Sequence, residues 1–213
     1  VTPTKPEKPM IISQLKLCLV THMTHTSFDL YQQFILQAIS GGVTAVQLRN
    51  KKTSKAHLLD QAFALKELLG PLHIPLIIND DIDIAKAVKA DGLHLGQTDC
   101  SPQAARDQLG PNIYIGLSIE TLDELAIANQ LTCINYIGAS AVFESKTKTN
   151  CKTIWGLEGL KKLTQQSIHP VVAIGGINAS NIKQTMACGP CGVAVVSAIH
   201  DDPNPKLAAE RLT

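Results

Sequence analysis

The stretch "TAVQLRNKKTSKAHLLDQAFALKELLGPLHIPLIINDD", residues 44–81, decides the fold. It opens on a strand-type run, residues 44–49. Residues 54–69 follow with apolar side chains at Leu58, Leu59, Ala62, Leu65 and Leu69, the spacing of one helix face. A second short apolar run, residues 75–78, closes the unit and runs straight into Asn79, Asp80 and Asp81. Two strands joined through a helix return in the same direction, because a parallel pair needs a long crossover where an antiparallel pair needs only a tight turn.

The unit recurs along the chain. Strand-type runs are expected at 15–20, 92–96, 113–117, 134–139, 170–176 and 192–198. Helices are expected at 28–39, 82–88, 102–109, 122–130, 157–166, 178–187 and 205–212, with Ser27 and Ser101 as N-caps and Pro102 in a first turn. Eight such units without a hairpin signal imply the α/β class and a (β/α)8 TIM barrel, a single catalytic domain over residues 11–213. An open doubly wound sheet is the competing architecture, but no G-x-G-x-x-G follows the first strand. Residues 1–10, "VTPTKPEKPM", read as a flexible N-terminal tail.

The chain has 213 residues, 45% of them hydrophobic, and a formal net charge of only +1. That balance argues against a nucleic-acid or anionic-membrane partner and leaves room for a local basic pocket. No apolar run reaches the roughly 18 residues of a membrane span. A cytoplasmic protein acting on small molecules is expected, its cysteines reduced; a homo-oligomer stays open. "CGPC" at 188–191 has thioredoxin-like spacing, but a helix precedes it and a strand follows, the reverse of the order a redox motif needs.

Barrels carry their chemistry at the C-terminal ends of the strands, and polar residues gather there. Gln47, Arg49 and Lys51 end the second strand; Asn79 and Asp80 end the third. Gln97 and Asp99 follow the fourth strand, Ser118 the fifth, and Ser145, Thr147 and Lys148 the sixth. Asp80 and Asp99 leave adjacent strands about 4.8 Å apart, so both carboxylates can share a cation, and Mg2+ suits two carboxylates plus ligand phosphate. Helix capping is the plain alternative for Asp80 or Asp81, and a simple turn for Asp99. Arg49, Lys51 and Lys148 suit phosphate oxygens or, as plainly, a solvated rim. "IGGI" at 174–177, with Val196 and Ser197, fits a phosphate cradle after the last two strands. His94, within a strand, reads as core or wall, and His22 and His25 sit at the active end without a specific role.

These motifs in this order resemble the thiamine phosphate synthase family. Its pattern of QLREK, ND, HLGQxD, GxS, a T-x-T-K loop, IGGI and VVSAI is met by "QLRNK" at 47–51, "ND" at 79–80, "HLGQTD" at 94–99, "GLS" at 116–118, "SKTK" at 145–148, "IGGI" at 174–177 and "VVSAI" at 195–199. The resemblance implies a transferase that joins a pyrimidine methyl diphosphate to a thiazole phosphate, releasing diphosphate, with Mg2+ on Asp80 and Asp99. It implies a pyrimidine diphosphate site of Gln47, Leu48, Arg49, Asn50, Lys51, Asn79, Ser118 and Lys148. Of these, Arg49, Lys51, Ser118 and Lys148 are implied to be catalytic. It also implies a thiazole phosphate site of Ser145, Lys146, Thr147, Gly176, Val196 and Ser197. Asn50 departs from the family's Glu, Ser145 from Thr, Glu144 from Pro, and Ser140-Ala141 from Gly-Pro. A tautomerase-like isomerase, a non-catalytic precursor-binding protein and another sugar-phosphate isomerase are the alternatives.

Overall fold

The computed structural model describes residues 11–23, 27–145 and 152–213. A short helix α1 (Ile11–Gln14) leads into β1 (Leu17–Val20) and α2 (Phe28–Ser40). Then come β2 (Ala45–Leu48), α3 (Lys55–Leu69), a single 3-10 turn, β3 (Leu76–Asn79), α4 (Ile82–Ala87), β4 (Gly92–Leu95) and α5 (Pro102–Leu109). The second half runs β5 (Tyr114–Ile119), α6 (Leu122–Ala128), β6 (Tyr136–Ser140), α7 (Gly156–Gln166), β7 (Val171–Ile174), α8 (Ile182–Ala187), β8 (Gly192–Val195), α9 (Ser197–His200) and α10 (Pro205–Glu210). The eight strands close in sequence order into a barrel in which every pairing is parallel. The last strand pairs with the first through Leu17–Val193 and Leu19–Val195, which leaves no sheet edge.

Two apolar layers hold this shape. Leu17, Leu19, Val46, Leu48, Leu76, Ile78, Leu93 and Ile115 point outward and pack against the helices. Cys18, Val20, Ala45, Ile77, Tyr114, Tyr136, Val172 and Ala194 point inward and fill the barrel. The alternation is the period of two that a strand imposes. It makes short strands apolar on both faces and their ends polar only toward the axis.

The helix starts follow local chemistry. Ser27, Ser54, Ser101 and Thr121 accept the orphan N–H groups of α2, α3, α5 and α6, and Asp81 does the same for α4. Most boundaries fall within two residues of the sequence expectation, and two differ by more. The eighth strand stops at Val195, and residues 197–200 form α9, too short to show a helical period. The eighth helix begins at Ile182 rather than 178, because the Asn178 side chain accepts from Ser180 N–H at 2.9 Å and holds a turn there. "CGPC" lies where its sequence order puts it, Cys188 capping α8 and Cys191 leading into β8. Burial raises both thiols, Cys191 to about 11, opposite to the direction a redox thiolate requires.

At the N-terminal end of the barrel Arg106 staples three segments. Its guanidinium donates to Cys133 O (2.9 and 3.1 Å), Gly110 O (2.8 Å), Ile113 O (2.7 Å) and Asn135 Oδ1 (2.8 Å). Arg106→Ala strands these half-buried carbonyls. It is expected to cost about 2–4 kcal/mol, read as a lowered urea midpoint with unchanged slope.

Candidate active site

Strand parity decides what reaches the C-terminal mouth. From β2, Gln47, Arg49 and Lys51 face inward. From β3 come Asn79 and Asp80, and from β4 His94 and Gly96, with Asp99 just beyond. From β5 come Ser118 and Glu120. All of them line one cavity of about 320 Å3. A second cavity of about 80 Å3 adjoins it, lined by Ser145, Gly176, Val196 and Ser197. Arg49 and Ser140 belong to the walls of both. A wider cleft at the opposite end has no acid pair; its Asp91 is held by Lys66 at 2.7 Å.

Asp80 has a left-handed backbone, φ 66°, which is uncommon outside glycine. Its N–H donates to His94 O at 2.9 Å while Asp81 N–H donates to Asn79 O at 2.8 Å. This sharp turn sends the two neighbouring acids to different tasks. Asp81 caps α4, its carboxylate accepting from Ile84 N–H at 2.9 Å. Asp80 turns to the mouth, toward Asp99 and within 3.3 Å of Lys51 Nζ. Burial and the facing Asp99 carboxylate push Asp80 above the ordinary carboxylate range, and Lys51 only partly offsets them. Two converging oxygen donors that repel each other are the donor set a hard divalent cation takes. The Asp99 carboxylate is held in place, one of its oxygens accepting from Gly96 N–H at 2.7 Å.

Ser118 stands inside the barrel, its Oγ 2.9 Å from His94 Nε2. Its carbonyl accepts from Gln97 at 2.7 Å. The other imidazole nitrogen, Nδ1, meets Tyr136 OH at 3.0 Å. Gly116 makes this packing feasible, since a Cβ there would overlap the Tyr136 ring and lie 2.6 Å from His94 Nδ1. Glu120, buried in the same wall, accepts from Lys152 N–H at 3.1 Å, while Lys152 Nζ pairs with Glu124 at 2.8 Å.

The smaller cavity is framed by the glycine turn and α9. Gly176 has φ 66°, and a Cβ there would lie 2.6 Å from Phe143 Cβ, so the turn packs directly on the sixth loop. Trp155 braces that loop through Ser140 O and Ala141 O. His200 anchors α9: Nε2 meets Tyr31 OH at 2.7 Å and accepts from His22 N–H at 3.2 Å. That leaves Nδ1–H to donate to Val196 O at 2.8 Å. His22 therefore contributes its backbone amide to this anchor.

Two of the residues assigned to the pyrimidine site turn away from it. Leu48 is buried in the outer layer against the helices. The Asn50 side chain donates to Gln61 at 3.3 Å and accepts from Lys52 N–H. Their even positions on β2 and its extension point outward, which period two predicts. Lys146, Thr147 and Lys148, like His25 and the 1–10 tail, lie outside the described residues. Tyr136 and Glu120 were missed as site residues, while His94, expected as core or wall, lines the cavity wall. Parity was the available signal, because 94, 116, 118 and 120 share the inward face.

The thiamine monophosphate synthase model matches residues 17–199. The chain belongs to the thiamine monophosphate synthase family. Among the family's members, a thiamine-phosphate synthase of Vibrio parahaemolyticus is 49% identical over 178 residues, 84% of this chain and 87% of that one. One from Albidiferax ferrireducens is 43% identical over 201 residues, 94% and 91% of the two chains. A solved thiamine phosphate pyrophosphorylase from Pyrococcus furiosus superposes with a TM-score of 0.85 at 32% identity, covering 95% of each chain. The barrel alone is shared with a 3-hexulose-6-phosphate synthase, TM-score 0.69 at 16% identity.

The two acids at the β3 turn can be told apart by stability. Asp80 is raised in the fold, so it favours folding only when protonated and opposes it as pH rises through its folded pKa. In metal-free buffer at neutral pH, Asp80→Asn is expected to raise the thermal midpoint. Asp81→Ala removes the α4 cap and is expected to lower stability by about 1 kcal/mol in the same calorimetric scan.

Proposed function

We propose that this barrel is a thiamine phosphate synthase. On this reading it joins a 4-amino-2-methylpyrimidine bearing a diphosphooxymethyl group to a thiazole phosphate. The observation that carries the reading is the pair of cavities that meet across Arg49 and Ser140, one walled by acids and cations, the other by a glycine turn. A condensation needs two anionic ligands side by side, and two adjoining cavities of unlike lining give each ligand its own place.

In this reading the methylene carbon–oxygen bond breaks and its electron pair leaves with diphosphate. The thiazole nitrogen then donates its lone pair to the same carbon. Asp80 and Asp99 would hold Mg2+, which when bound adds positive charge beside the departing diphosphate. Arg49 and Lys51 line the same wall and oppose the charge that grows on the leaving oxygens; Lys148 is assigned to them by its place in the sixth-loop motif. Gln47, Asn79 and Ser118 would orient the pyrimidine, which fixes its methylene toward the shared wall. Ser145, Gly176, Val196 and Ser197 would take the thiazole phosphate through hydroxyl and backbone donors, with Lys146 and Thr147 assigned beside them by the same sixth-loop motif.

Diphosphate release with both substrates and Mg2+ is expected, and EDTA should abolish it. Asp80→Ala and Asp99→Ala should each reduce kcat about a hundredfold or more, the scale of losing one focused electrostatic contact. Turnover that survives EDTA would exclude the metal, and binding of both ligands without release would make the protein a carrier. His200→Ala removes the anchor of α9. It should raise KM for the thiazole phosphate several-fold while KM for the pyrimidine diphosphate stays put, both read from initial rates.

A further inference from the structure

We infer that His94 is a positioning residue that fixes the Ser118 hydroxyl as a hydrogen-bond donor toward the ligand, through the chain Tyr136 OH, His94 Nδ1, His94 Nε2 and Ser118 Oγ. The inference rests on the two-substrate reading above and adds a polarity to one of its contacts.

The polarity follows from the buried end. Tyr136 is 3% exposed and its hydroxyl lies inside the barrel, 3.0 Å from His94 Nδ1. A phenol buried this deeply keeps its proton, and burial raises it well above its ordinary range. Among the described residues the partner of that hydroxyl is His94 Nδ1, so the phenol donates there rather than strand its hydrogen. Nδ1 is then the acceptor nitrogen, and a neutral imidazole carries its one hydrogen on Nε2. Nε2–H donates to Ser118 Oγ at 2.9 Å. With that lone pair occupied, the serine's own hydrogen swings away from His94 into the cavity, where Ser118 meets the pyrimidine site. A ring nitrogen or a phosphate oxygen is the acceptor such a hydroxyl selects. A group offering only hydrogens at that point is rejected.

Any buried histidine needs room for its ring and a partner for each nitrogen. Here two glycines clear space for it: a Cβ on Gly138 would lie 3.0 Å from the His94 ring, and one on Gly116 would be closer still. One end of the chain is sealed in the barrel core and the other opens on the cavity.

Two readouts test the inference. The first is nitrogen NMR of histidine-labelled protein at neutral pH, where His94 is expected as the neutral tautomer protonated on Nε2. A proton on Nδ1, or an imidazolium, overturns the inference whether or not the variants fold. The second compares two amides. The Gln amide nitrogen can replace Nε2, so His94→Gln should keep kcat within about threefold. The Asn oxygen can replace only Nδ1, so His94→Asn should lose about tenfold or more in kcat with KM for the pyrimidine diphosphate little changed. Ser118→Ala combined with His94→Asn should lose no more than Ser118→Ala alone. Equal losses in the Gln and Asn variants, or additive losses in the pair, overturn it. A wild-type protein that does not turn over at all sinks the synthase reading instead, and the tautomer still decides the polarity.

Discussion

The structure depends on the parity of short strands in a closed parallel barrel. Each strand holds only four to six residues. With so few positions, odd and even residues have separate fates: one set meets the helices, the other meets the axis. The outward set carries most of the apolar burial and is nearly all Leu, Ile and Val. The inward set is apolar at the bottom and polar at the top. Cys18, Ile77 and Tyr136 therefore sit beneath Gln47, Asn79 and Ser118, and the core becomes the floor of the site.

At the mouth of the barrel a strained residue lies where that order is broken. The inward place at the end of β3 belongs to the Asn79 amide, so the acid must come from the next position. A left-handed Asp80 solves this by turning a residue of outward parity back toward the mouth. The conformation costs of order 1 kcal/mol or more, and the raised carboxylate costs again whenever it is ionised without a cation. Neither cost serves the fold. Asp81 shows the stable alternative one residue later, as an ordinary cap with a good hydrogen bond. Strain and repulsion that stability does not reward fit the cation-holding role proposed for Asp80 above.

Much of this was legible in the chain. Periodicity located all eight strands, because a buried strand is a short apolar run between helices and nothing else in the sequence looks like one. Capping serines gave the starts of α2 and α5, since the cap is local chemistry. What escaped was of two kinds. Helix α9 and the turn at 178–181 are set by local hydrogen bonds, to Val196 O and to Asn178, that no periodic pattern records. Motif matching assigned Leu48 and Asn50 with their neighbours, because a motif is a string and does not know which way its letters face. His94 opens a matched motif and still received no role, since a histidine among leucines reads as core or wall.

The choice between Asp80 and Asp81 illustrates how the levels combine. Adjacency made both acids equal in sequence, and capping would have been the ordinary expectation for either. Geometry separates them because one hydrogen bond, Asp80 N–H to His94 O, commits the backbone to its turn. The same residue, His94, reaches Ser118 with its side chain. One position on β4 thus aims the acid of one neighbouring strand with its carbonyl and the hydroxyl of the other with its ring. A barrel strand touches both neighbours, so a single inward residue can register two parts of a site that lie on different strands. That coupling explains why β4, with only Gly92 to Leu95 in it, contributes so much to the mouth while offering almost no reactive side chain of its own.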